Sequence, residues 1–157
     1  MDIASSIKKY KNSVTRKYIS LSNDEIDVVT KGDYWFSRKY DGQLWFYCKS
    51  NNNSKIINSN ENDISTLISE IKKELDKKLS QTKNIVLAGE LYSLTKERER
   101  YGDTISGLGD KSKRKNLRLG VFDVVLSDKL LSSFQEKYKF LKKNLGENPK
   151  DSSHVLE

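Results

Sequence analysis

Apolar and polar positions alternate along residues 44–49, where Leu44, Phe46 and Cys48 interleave with Trp45, Tyr47 and Lys49. That period of two predicts a β-strand, and Asn51-Asn52-Asn53 predicts a hairpin turn into a second strand over residues 55–58. From residue 60 to residue 79 the period changes. Ile64, Leu67, Ile68, Ile71, Leu75 and Leu79 recur at three- and four-residue steps, the stripe of an amphipathic helix with Lys72, Lys73, Lys77 and Lys78 mostly outward. Strands are expected again over residues 85–92 and 118–126. A helix over residues 134–145 opens on the capping spacing Ser133 to Glu136 and stops at Gly146. Ser22 and Glu25 repeat that spacing ahead of a short helix closed by Gly32. There is no regular strand–helix alternation, internal repeat or heptad, so the pattern predicts an α+β domain, mainly antiparallel sheet flanked by helices.

Composition narrows the class. A chain of 157 residues suits one domain, and its eight Tyr, five Phe and two Trp supply a core despite a charged fraction of 32%. No apolar stretch reaches membrane-spanning length, and residues 1–20 are too polar for a secretory signal, so a cytoplasmic protein without membrane contact is expected. The single cysteine, Cys48, excludes an internal disulfide and reads as a small core residue. A formal charge of +7 favours an anionic partner such as nucleic acid or nucleotide.

Candidate chemistry centres on Lys39-Tyr40-Asp41-Gly42. A lysine amine attacks phosphorus only when unprotonated. A neighbouring like charge such as Arg38, or a bound metal ion, disfavours the ammonium form, and Gly42 lets the backbone turn beside a ligand. The same four residues also suit a solvated surface turn. Glu90 shares a strand face with Val86 and Ala88, so it either meets a cation or ligand or lies at the strand's open end. Residues 111–118, with Lys111, Lys113, Arg114, Lys115 and Arg118, follow a glycine-bearing loop over residues 102–109. They read either as a phosphate-contacting loop or as a solvated connection. A P-loop is disfavoured because Leu108 stands where the lysine belongs, and a lone histidine, His154, rules out histidine-based triads.

Three segments together resemble the adenylation domain of ATP-dependent DNA ligases, within the covalent nucleotidyltransferases that include RNA ligases and capping enzymes. Lys39-Tyr40-Asp41-Gly42 resembles the motif whose lysine takes up AMP. Ala88-Gly89-Glu90-Leu91-Tyr92 resembles the motif whose glutamate contacts ribose or metal, and Leu119-Gly120-Val121-Phe122-Asp123-Val124 the strand whose aromatic residue stacks on the purine. The segment Glu97-Arg98-Glu99-Arg100-Tyr101-Gly102-Asp103 is similar to a loop carried by some members. The order and the intervals suit the family. Departures are Ala88, where many members have an acidic residue, and Leu44, where many have a basic one.

The resemblance implies an ATP-grasp-like nucleotidyltransferase domain using ATP and Mg²⁺ on nicked DNA, or on RNA, and acting as a monomer. Lys39 would be the nucleophile, and Asp41 and Gly42 would shape its loop. Glu90 would hold ribose or metal, Phe122 would stack adenine, and Arg38 and Lys49 would contact phosphate. The later family motifs and an OB-fold are missing, so an incomplete adenylation domain over residues 1–150 with a truncated tail over residues 151–157 is expected. Such a chain should accept AMP poorly by itself. The next strand of the family would begin near His154 and Val155. The rival expectations are an RNA ligase or capping-type enzyme, and a non-catalytic basic module that binds nucleic acid.

Overall fold

The structure, a computed structural model, describes residues 2–14, 20–29, 31, 39–94, 100–129, 131–146 and 155–156. Helices α1 (Ile3–Ser13) and α2 (Asn23–Val29) precede strands β1 (Gln43–Ser50) and β2 (Asn53–Ile57). Helix α3 (Ser69–Lys78), strand β3 (Asn84–Ser93), helix α4 (Tyr101–Gly109), strand β4 (Leu117–Ser127), helix α5 (Phe134–Leu145) and strand β5 (Val155–Leu156) follow. The sheet runs β2-β1-β3-β4-β5. Its first four strands are antiparallel, and β5 pairs parallel with β4 through Leu119 and Gly120. The α+β class is therefore as the hydrophobic pattern predicts, with β5 beginning where a next strand was expected.

Residues directly opposite in an antiparallel pair point to the same face. Trp45 and Tyr47 face Gly89 and Leu87, and this side carries the larger core, closed by Ile71 and Leu75 of α3 and by Phe140, Leu141 and Leu145 of α5. Phe46 and Cys48 face Ala88 and Val86, and on this side α1 closes a smaller cluster with Ile7 and Tyr10. Tyr10 meets Phe46 edge-on with ring centroids 6.1 Å apart.

The elements depart from the sequence pattern at three places. Helix α3 begins at Ser69 rather than near residue 60. Asn58 Oδ1 accepts the Asn60 and Asn62 amides, and Asp63 Oδ1 accepts the Ser65 amide at 2.8 Å, so local side-chain bonds take the donors a helix would need. Ile64 and Ile68 stay buried although they precede the helix, whereas Leu67 is exposed. The glycine-bearing stretch over residues 102–109 is helix α4, not a loop, because Thr104 and Gly107 turn inward and Gly107 lets the helix lie directly on Leu117. Helix α1 had no counterpart in the sequence reading. It is capped by Asp2, which accepts the Ser5 amide at 3.1 Å.

Both expected capping boxes form. The Ser22 amide donates to Glu25 at 2.8 Å and the Ser133 amide to Glu136 at 2.9 Å, each reciprocated by the glutamate amide. Gly32, the expected stop of α2, lies outside the described residues. No helix among the described residues is long and apolar enough to cross a membrane.

Candidate functional site

The approach of residues 39–42 to the sheet is fixed by a glycine. Gly42 runs so close to β3 that a Cβ there would lie 2.0 Å from the Leu91 carbonyl oxygen, which no side chain could survive. There the Gly42 backbone amide, Lys39 and Asp41 all lie close enough to the Glu90 carboxylate to act on its charge. Burial pushes the Glu90 carboxyl above its ordinary range. The Gly42 amide opposes that shift, Asp41 adds to it, and Lys39 opposes it again. Lys39 and Asp41 themselves are exposed. The site is thus an accessible amine beside a half-buried carboxylate.

Tyr40 carries the turn onto the sheet. Its ring stacks on Tyr92 with centroids 4.3 Å apart and planes 14° from parallel. Beneath it lies Gly120, directly opposite Glu90, where a Cβ would sit 2.6 Å from the Tyr40 ring. Tyr40, Tyr92 and Gly120 did not figure among the sequence candidates in these roles. The signal was Gly120 itself, because a glycine inside a strand marks a close approach.

Phe122 lies at the bulge in β4 between the partners of Ala88 and Gly89, and it packs half-buried against the smaller cluster. It therefore shares the sheet face of Glu90. Lys49 does not join them. It lies five residues along β1 from Leu44, the partner of Glu90, about 17 Å at strand rise, and on the opposite face. Its side chain is buried and donates to the Leu79 carbonyl at 2.7 Å, which closes the end of α3. Arg38 lies outside the described residues.

Among the described residues no group of three or more His, Cys, Asp or Glu side chains could hold a metal alone. Glu90 and Asp41 nevertheless fit one partly. Two carboxylates whose charges oppose each other are relieved by a divalent cation, and Mg²⁺ is commonly held by one or two carboxylates plus substrate phosphates.

Solved structures that share this fold include two DNA ligase D chains. One is a mycobacterial DNA ligase D complexed with ATP and MES, with a TM-score of 0.54 and 17% identity over 76% of this chain. The other is the ligase domain from M. tuberculosis LigD, with the same TM-score, identity and share of this chain. This chain spans 38% and 37% of those chains, respectively. No curated protein matches the sequence. The pattern of the ATP dependent DNA ligase domain matches residues 3–156, nearly the whole length. The chain accordingly belongs to the ATP-dependent DNA ligase domain family.

Proposed function

We propose that these residues carry the adenylation step of an ATP-dependent DNA ligase, in an ATP-grasp-like nucleotidyltransferase domain. The observation that supports it is the close seat of Gly42 on β3, which brings exposed Lys39 near enough to act on the half-buried Glu90 carboxylate, in a chain of this family. The neutral Lys39 amine attacks the α-phosphorus of ATP in line. A P–N bond forms and the P–O bond to pyrophosphate breaks, while two protons go to solvent, one from the ammonium before attack and one from the nitrogen after the P–N bond has formed. AMP held on Lys39 then passes to the 5′-phosphate of a nick. The neighbouring 3′-hydroxyl attacks that phosphate, seals the strand and releases AMP.

Each remaining residue has a positional role. Gly42 holds the nucleophile's loop against β3, Glu90 accepts a ribose hydroxyl or shares Mg²⁺ with Asp41, and Phe122 offers a face for adenine. When bound, Mg²⁺ would neutralise charge on the triphosphate as pyrophosphate leaves. Arg38 remains a proposed phosphate contact from its place beside Lys39. Lys49 is assigned none, since it is committed to the end of α3.

The test is labelling of the full natural polypeptide with ATP carrying a labelled α-phosphate, in the presence of Mg²⁺. An acid-labile adduct is expected on Lys39 and not in Lys39→Ala. Its absence from the unsubstituted protein would falsify the reading. Parallel labelling with GTP separates a capping-type enzyme, and nicked DNA against nicked RNA separates the two ligase classes.

A further inference from the structure

The segment between α4 and β4 is the densest run of positive charge in the chain. From Asp110 to Arg118 five cationic side chains stand against one carboxylate. The segment is built rather than loose. Asp110 Oδ1 accepts the Ser112 amide at 2.9 Å and its hydroxyl at 2.8 Å, and the Asn116 amide returns to the Lys113 carbonyl at 2.9 Å. A 3₁₀ turn over Arg114–Asn116 leads straight into β4.

The five cations divide into two groups. Arg118 is buried and donates to the Lys115 and Leu117 carbonyls at 2.7 and 2.8 Å, and Arg114 donates to the Leu108 carbonyl at 3.2 Å. Those two hold the turn together. Lys113 donates to Ser106 at 2.9 Å. Lys111 and Lys115 are exposed, and their ammonium groups make no hydrogen bond or ion pair among the described residues. Two arginines thus brace a turn that presents two uncommitted ammonium groups to solvent.

The turn also has a defined distance from the site. β4 starts at Leu117 opposite Ser93, and Gly120 lies opposite Glu90, so the start of β4, which the turn precedes, stands three residues beyond the carboxylate, about 10 Å at strand rise.

We infer that residues 111–115 form a docking surface for the backbone of duplex DNA, with Lys111 and Lys115 as the phosphate contacts. Placing that backbone beside a reacting nick rests on the ligase reading above. The surface itself rests on charge and on the braced turn. Lysine contacts of this kind neutralise phosphates and displace counterions, so they strengthen binding without reading sequence.

The experiment measures binding of a short fluorescein-labelled nicked duplex by anisotropy between about 50 and 200 mM salt. It compares the unsubstituted protein with Lys111→Ser/Lys115→Ser and with Lys73→Ser/Lys77→Ser, which removes the same charge from the exposed side of α3. The first double variant is expected to reduce the slope of log affinity on log salt by about 2 and to weaken binding at least about tenfold at 0.1 M salt. The α3 variant should leave the slope nearly unchanged. Equal losses in both, no loss in the first, or no binding by the unsubstituted protein each overturn the inference. Labelling with ATP is run on the same unsubstituted protein. No label with the expected DNA response removes the ligase reading and leaves the surface. Normal label with an unchanged slope in the first variant does the reverse.

Discussion

The ring of Tyr40 lies stacked on that of Tyr92, 4.3 Å between centroids, with Gly120 as its floor. Tyr40 follows Lys39 in the chain, so whatever fixes this ring fixes the backbone that carries the amine. Aromatic pairs in offset stacks contribute about 0.5–1.5 kcal/mol beyond the area they bury. The stack is therefore a credible anchor for an exposed loop.

Gly120→Ala tests it. The new methyl would stand 2.6 Å from Tyr40, so the ring must leave its seat, at a cost of about 1–3 kcal/mol typical of overpacking. Thermal unfolding should move down accordingly, and AMP transfer to Lys39 should fall more steeply than ATP affinity. A double-mutant cycle with Tyr40→Ala sharpens the outcome: with the ring removed, the alanine should cost much less. Additive costs would mean that Gly120 serves β4 or β5 instead.

Glu90 carries a charge that the fold resists. An unfolded Glu90 titrates near its ordinary value of 4.5, whereas burial makes the folded protein keep the proton to higher pH. Below the ordinary value both states hold the proton and the residue is neutral in its effect. As pH rises through the folded value, the cost of the buried charge appears in full. Glu90→Gln retains an oxygen for the Gly42 amide and removes the charge. It should match the unsubstituted protein in melting temperature near pH 4 and exceed it at pH 7, while losing adenylation. A lower melting temperature at pH 7 would mean that the Lys39 attraction outweighs burial.

Cys48 should be nearly inert in the folded protein. It is 5% exposed in the smaller cluster, and burial pushes its thiol up to about 12. At pH 8 only about one molecule in ten thousand carries the thiolate that reacts. Alkylation by iodoacetamide should be roughly 10³-fold slower than in urea-unfolded chain, and its pH dependence should follow unfolding. Rapid alkylation at pH 8 without denaturant would place the β1 edge of the cluster open to solvent.

The residues of the proposed site could be read from the sequence because they are written locally. Lys39 to Gly42 is a contiguous run, Glu90 interrupts an apolar strand, and both capping boxes lie within four residues. Lys49 was misplaced for a different reason. Its residue type suits phosphate, but strand rise carries it far from Glu90, and strand parity turns it to the other face. Helix α4 could not be read because its sequence is a poor helix former. Gly102, Gly107 and Gly109 argue for a loop, and only the seat on Leu117, supplied by a different element, holds the helix in place.

Two glycines of α4 should therefore respond to alanine with opposite signs. Gly107 meets Leu117 so closely that a Cβ would lie 2.7 Å from its Cδ2, and Leu117 is fully buried with no room to retreat. Gly107→Ala must push α4 off β4, at about 1–3 kcal/mol, and with it the Tyr101 hydroxyl that accepts from Gln43 Nε2 at 2.8 Å. Gly102 has nothing within 4 Å of the same position. Alanine there only restricts the unfolded chain and favours the helix, so Gly102→Ala should stabilise by about 0.5–1 kcal/mol. Urea unfolding of the two variants measures both signs together. If both destabilise, the helix at residue 102 is not the conformation that α4 holds in solution; if neither does, α4 is not packed on Leu117, and the basic turn that follows it has lost its support.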